Sequence, residues 1–186
     1  MSRSRSGFTL IEILVVIAII GIILSILTVN FNEARKKSRD KARQSDLKSL
    51  QLAIETYKAQ NNGLYPPSGC SPANNDNDNN VWVTPGPVSA SGFRSCPEYV
   101  KGLVPDYIAA LPSDPSMEND TDKGFMYRTD NARTYYKVMV NRSVETDLIT
   151  SFDDEFSRCP YVTTACPSVA ANANIYSVYS VGAEDW

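Results

Sequence analysis

The 186-residue chain contains no histidine. That absence removes Ser-His-Asp and Cys-His nucleophilic catalysis, together with zinc sites built on imidazole. Proline is missing until Pro66, so nothing forces a break in a helix begun earlier. Cysteine is limited to four residues with no CxxC spacing, which leaves little for a thiolate metal centre. Basic residues are scarce in the second part of the chain. Residues 61–186 hold eight Lys/Arg against sixteen Asp/Glu, a net −8, whereas residues 1–60 hold ten against five, a net +5. An acidic carboxy-terminal part argues against nucleic acid there, because phosphate contacts need Lys and Arg. A basic, apolar-headed half joined to an acidic half is the pattern of a membrane-proximal stem carrying a solvated head.

Four stretches follow from this patterning. Residues 1–7 (MSRSRSG) are polar and basic. From Phe8 to Val29 the chain is polar only at Thr9, Glu12, Ser25 and Thr28. As a helix this run is about 33 Å long, the thickness of a bilayer core. Residues 30–61 are highly charged yet keep a helical stripe in Leu47, Leu50, Ala53, Ile54 and Tyr57. One helix of about 80 Å, from Phe8 to Gln60, accounts for both segments. Gly21, Asn30 and Asn32 are its weak points, and Asn62-Gly63 supplies the stop signal. Residues 62–186 form the head. Within it, 66–97 reads as a long loop rich in Pro, Gly, Ser and Asn. EYVKGL and PDYIAAL (98–111) read as short helical pieces. GFMYR (124–128) and TYYKVMVN (134–141) read as an antiparallel hairpin, and NIYSVYSVG (174–182) as a last strand. Val144, Leu148, Phe152 and Phe156 recur every four residues, which predicts a helix over 143–157. The expected fold class is α+β: a long amino-terminal helix on a small antiparallel sheet.

Two simple accounts of the amino terminus compete with a more specific one. A cleaved secretory signal lacks its small-x-small site, since the apolar run leads straight into a charged helix. A plain membrane anchor does not explain why a basic leader ends at Gly7-Phe8, before the span, with Glu12 four residues further on.

RSGFTLIEILVVIAIIGI resembles the class III signal of the type IV pilin superfamily: basic leader, glycine, phenylalanine, then glutamate at the fifth mature position. The similarity continues through SDLKSLQLAIETYKAQNNGLYPPS (45–68). It extends more loosely through VPDYIAALPSDP (104–115), which is similar to the major pseudopilins of type II secretion. The resemblance implies a pilin-like fold and cleavage after Gly7 by a prepilin peptidase. It also implies methylation of the new Phe8 amine and a homo-oligomeric filament with the apolar helices at its core. Its further implied partners are an inner-membrane assembly platform, and membrane lipid before assembly. The leader is then cytoplasmic and the head extracytoplasmic, in a periplasmic or cell-surface filament. Val29 stands where many relatives carry proline, and DPSMENDTDKGFMY stands where the major pseudopilins have a DPWGNPY-like stretch. Pilus and secretion pseudopilus both remain open, and the reading from a different class is a monomeric, membrane-anchored ligand-binding ectodomain.

Physical chemistry gives Glu12 a reason. An ionised carboxylate within a bilayer costs several kcal/mol unless it finds a partner or lies at the interface. Cleavage would create an α-amine with an ordinary pKa of about 7.7–8, only about 6 Å away along the helix axis. Pairing with the amine of an incoming subunit would set the axial stagger between neighbours, making Phe8 and Glu12 the assembly residues.

The cysteines fit an oxidising envelope. Cys70 and Cys96 flank the long loop, and Cys159 and Cys166 flank CPYVTTAC. Of the three pairings four cysteines allow, the sequential one closes each irregular loop, with about 3.5 and 2.5 kcal/mol of loop-closure stabilisation. Other motifs dissolve. Ser38-x-x-Lys41 and Ser45-x-x-Lys48 match an acyl-enzyme pattern without its companion motifs. Asp76-x-Asp78-x-Asn80 begins like a calcium loop, but Val81 and Pro87 occupy its glycine and glutamate positions. No catalytic residue, metal site or cofactor is expected, calcium in the head being the minor alternative. Arg35, Lys36, Lys37, Arg39, Lys41 and Arg43 read as a solvated or subunit-bridging face. That cluster opposes the positive-inside rule when weighed against Arg3 and Arg5.

Overall fold

A computed structural model of the chain describes residues 7–69, 81–86, 93–118 and 123–186, and the backbone but not the side chains of 26–30. Its dominant element is one helix, α1, running unbroken from Leu10 to Gln60. Helix-forming side chains and the lack of proline make that continuity affordable, and the expected stop works as anticipated. Asn62 and Gly63 adopt positive φ (55° and 77°), while the Gly63 amide donates back to the Lys58 carbonyl at 3.1 Å.

The head is a five-stranded sheet in the order β2-β1-β3-β4-β5. Its strands are β1 (Trp82–Thr84), β2 (Phe93–Ser95), β3 (Gly124–Thr129), β4 (Tyr136–Asn141) and β5 (Tyr176–Tyr179). The expected hairpin is β3–β4, in register from Gly124 opposite Asn141 to Thr129 opposite Tyr136. The expected last strand is β5, antiparallel to β4. Among the described residues, β1 and β2 are the one pair that runs parallel.

Strand alternation sorts the side chains onto two faces. Phe125, Tyr127, Tyr136, Val138, Val140, Tyr176 and Val178 point inward and meet Leu47, Leu50, Ala53 and Ile54 of α1 in the main core. The stripe read from the sequence is therefore the buried face of the helix. Fully burying one such leucine or isoleucine contributes roughly 1.5–3 kcal/mol. Trp82, Met126, Met139 and Ile175 form a smaller cluster on the opposite face, with Phe93 and Trp186 packed against it.

Three expectations are corrected. Residues 143–157 form turns, not a helix. The amides of Glu145, Thr146 and Asp147 are taken by the Asp40 carboxylate, those of Thr150 and Ser151 by Asp154, and that of Ile149 by the Ala173 carbonyl. Donors bound this way are not free for i→i−4 bonds, and Leu148 of the supposed apolar stripe is exposed. Residues 98–111 also form turns. Gly102 at φ 77° interrupts the first piece, and Pro105 and Pro112 leave the second too short to nucleate. The stretch 66–97 is not all loop, since β1 and β2 lie in it. Three-residue strands paired in parallel leave no local alternation to detect.

No helix among the described residues is long and apolar enough to cross a membrane. The span expected over 8–29 runs into 26–30, whose side chains lie outside the description.

Candidate assembly site

The amino terminus is built around a reciprocal cap. Thr9 has extended geometry (φ −82°, ψ 152°) and is the N-cap of α1. Its hydroxyl oxygen accepts from the Glu12 amide at 3.3 Å. The Glu12 carboxylate in turn accepts from the Thr9 amide at 2.9 Å and the Thr9 hydroxyl at 2.8 Å. This is a capping box, and it satisfies two of the otherwise unpaired donors at the helix start. A second reason for Glu12 thus exists within one chain, before any cleavage. The signal was present as T-x-x-E ahead of an apolar run, and reasoning from the membrane charge alone passed over it. Phe8 is 83% exposed. With the Gly7–Phe8 bond intact there is no amine at Phe8 to meet Glu12.

Beyond the cap, Leu10, Ile11, Ile13, Leu14, Ile17 and Ile20 are among the large apolar side chains of α1 left uncovered. A contiguous apolar surface of this size marks contact with lipid or another protein.

The head is fastened to α1 by a charged clasp. Asp40 is fully buried, and its carboxylate accepts from the amides of Thr146 (2.7 Å), Asp147 (3.1 Å) and Glu145 (3.1 Å), and from the Thr146 hydroxyl (2.9 Å). Arg43, one turn further, is also buried. Its Nε and Nη2 donate to the two oxygens of Asp114 at 2.7 and 3.1 Å, and its Nη1 to Asp40 (2.8 Å) and Glu145 (3.1 Å). Arg39 forks onto Glu145 at 2.7 and 2.6 Å. Burial pushes the Asp40 pKa up, but the amides of Thr146, Asp147 and Glu145 prevail and hold it below the usual carboxylate value. Burial acts the same way on Asp114, and the Arg43 guanidinium with Ser116 overcomes it. Glu145 is held low first by its bonds to Arg39.

The basic cluster is accordingly not a uniform solvated face. Arg39 and Arg43 turn into the clasp, Lys41 meets Asp147 at 2.8 Å, and Lys36 meets Glu33 at 3.6 Å on its own helix. Lys48 pairs with Glu155 at 2.8 Å. Lys41 and Lys48 thus each reach an acid of the head, Asp147 and Glu155, and neither reaches the serine three residues before it in the acyl-enzyme pattern by any ion pair or hydrogen bond among the described residues.

Cys159 and Cys166 are bonded, as expected, with Cα atoms 6.3 Å apart. Cys96 is buried and disulfide-bonded, while Cys70 lies outside the described residues, as does Asp76-x-Asp78-x-Asn80. Among the described residues, no group of three or more His, Cys, Asp or Glu could hold a metal ion.

Comparison with known proteins adds to this geometry. Residues 2–28 match the prokaryotic N-terminal methylation motif. The chain is similar to the type II secretion system core protein G of Aeromonas hydrophila, with 41% identity over 34% of this chain and 44% of the relative. It is 40% identical to that of Pectobacterium carotovorum over 33% of this chain and 39% of the relative. It is also 42% identical to the type IV wide pilus major component of Thermus thermophilus, over 32% of this chain and 46% of the relative. The chain thus spans less than half the length of these curated relatives. No solved structure matches. The methylation motif thus runs into a capped, uncovered apolar helix that carries a small α+β head, and over about a third of its length the chain is similar to type II secretion core protein G and to a type IV wide pilus major component.

Proposed function

We propose that the chain is a structural subunit of a filament, either a type II secretion pseudopilus or a type IV pilus, and performs no catalysis. The observation that carries this reading is the uncovered apolar face of α1, with Glu12 as its lone charge from Leu10 to Leu24, on the same unbroken helix as the head. A prepilin peptidase removes residues 1–7 by cutting after Gly7, and the freed Phe8 amine is methylated. The apolar helix rests in membrane lipid until an inner-membrane platform drives assembly into a homo-oligomer. The head is extracytoplasmic, in the periplasm or at the cell surface. Pairing of Cys70 with Cys96 closes the long loop of the head.

Glu12 has two roles that can be separated. Within its own chain it caps the helix, a task glutamine also performs in a capping box. Between chains its charge recruits the Phe8 amine of a neighbour. Glu12→Ala and Glu12→Gln should both be inserted and processed, because removing a membrane charge eases insertion, yet both should lose filaments. Glu12→Asp should be partly active. The measurement is filament yield in sheared material against total processed subunit. Normal yield from Glu12→Gln would reduce Glu12 to a cap. Unaltered chains that give only a monodisperse monomer and no sheared filament would favour the membrane-anchored ligand-binding reading.

A further inference from the structure

On the face of the sheet away from α1, Lys137 of β4 is fully buried. Its Nζ donates to the main-chain oxygens of Ala183 (3.2 Å), Glu184 (3.2 Å) and Trp186 (2.9 Å). All three acceptors belong to the turn that follows β5. The amine also sits 4.6 Å from the Tyr179 ring centre and 3.9 Å from Cys159 Sγ. Its charged surroundings are mixed: Arg158 and Arg128 on one side of the balance, Glu184 and Asp185 on the other. Burial, with Arg158 next, pushes its pKa down to about 7. The hydrogen bonds argue in the opposite direction. A neutral amine has two N–H donors and an ammonium three, and three oxygens stand within hydrogen-bond reach. The geometry therefore favours the charged form.

We propose that Lys137 is the resident cation of a cation site formed by the carboxy-terminal turn of the head. Convergent main-chain oxygens with carboxylates close by are the donor set that hard cations such as calcium take. Here the chain fills the position from within, through a covalently tethered ammonium. Closure of the turn also seats Trp186, whose ring lies 4.4 Å from the Arg128 guanidinium and 5.0 Å from the Tyr135 ring. The head then needs no free metal ion to hold this turn.

Three measurements on the full chain in detergent micelles test the assignment. With 15N-labelled lysine at neutral pH, Lys137 should give an ammonium resonance in slow exchange with water. Thermal unfolding should be unchanged between added calcium and added chelator. Lys137→Met, which keeps the length and removes the donors, should raise amide exchange across 180–186 by at least about tenfold while α1 around Leu47–Ile54 keeps its protection. A neutral or fast-exchanging Lys137 amine would overturn the proposal. So would a chelator-induced fall in the melting temperature, or unchanged protection of 180–186 in Lys137→Met. If that variant does not fold, the first two measurements decide alone.

Discussion

The clasp between α1 and the head makes the strongest quantitative claim on stability. Arg43→Met keeps much of the side-chain volume but removes the guanidinium that faces Asp114, Asp40 and Glu145. Asp114 and Asp40 are then left as buried carboxylates without their cation. Breaking a buried pair on one side costs about 3–5 kcal/mol, against a total stability of about 5–15 kcal/mol for a domain. Midpoint shifts of about 2–4 °C per kcal/mol apply at 150–250 residues, so the melting temperature should fall by about 6–20 °C. Thermal unfolding of full-length protein in micelles, followed by near-ultraviolet circular dichroism, reads the change. Asp40→Asn should also destabilise, because the amides of residues 145–147 lose a charged acceptor. The pH dependence supplies an independent check. The folded pKa values of Asp40, Asp114 and Glu145 are all lowered. Their contribution is thus present in full above the unfolded carboxylate values of about 4, and is lost as pH falls through the lower folded values. The gap between unaltered protein and Asp40→Asn should close over that acidic window and stay constant near neutrality. A loss below about 1 kcal/mol in Arg43→Met, the scale of an exposed pair, would refute the argument.

Gly7→Leu should block removal of residues 1–7, and intact-mass analysis showing normally processed protein would sink the assigned cleavage point. Non-reducing peptide mapping should recover Cys70 with Cys96 and Cys159 with Cys166; a Cys96–Cys159 peptide would contradict both pairings. Inserting one alanine after Ser38 should leave the head folded but rotate it by about 100° relative to the apolar face of α1, so filament yield should collapse. Undiminished yield would show that head orientation is not set through the helix.

Legibility from sequence tracked the range over which each interaction acts. The α1 stripe and its Asn62-Gly63 stop were readable because helix periodicity and chain reversal are local. The β3–β4 hairpin was readable for the same reason, with TDNAR between two alternating runs. Val144, Leu148, Phe152 and Phe156 misled because a carboxylate more than a hundred positions earlier, Asp40, claims the first amides of that segment. No window along 143–157 contains that information. The basic run at 35–43 misled in a related way, since the acids that pair with Arg39, Lys41 and Arg43 come chiefly from 114 and 145–147. The capping box is different. Thr9 and Glu12 are three residues apart, and their pairing needed only the helix start to be placed at Leu10.

Glu12 and Asp40 do the same physical job at two points of one helix. Each presents a carboxylate to main-chain amides that would otherwise lack partners, Glu12 to the start of α1 and Asp40 to the 145–147 turn. About 42 Å of helix separates them at about 1.5 Å per residue, with no proline between. The amino-terminal end is where neighbouring subunits are proposed to register, and the Asp40 end is where the head is held. A helix that neither kinks nor slips passes an axial offset from one end to the other unchanged. The buried charges at Asp40 and Arg43 then have a use beyond stability, because hydrogen bonds of fixed direction define the angle of the head more sharply than the apolar contacts at Leu47, Leu50 and Ile54. A hydrophobic seam tolerates sliding, whereas three amides converging on one carboxylate do not.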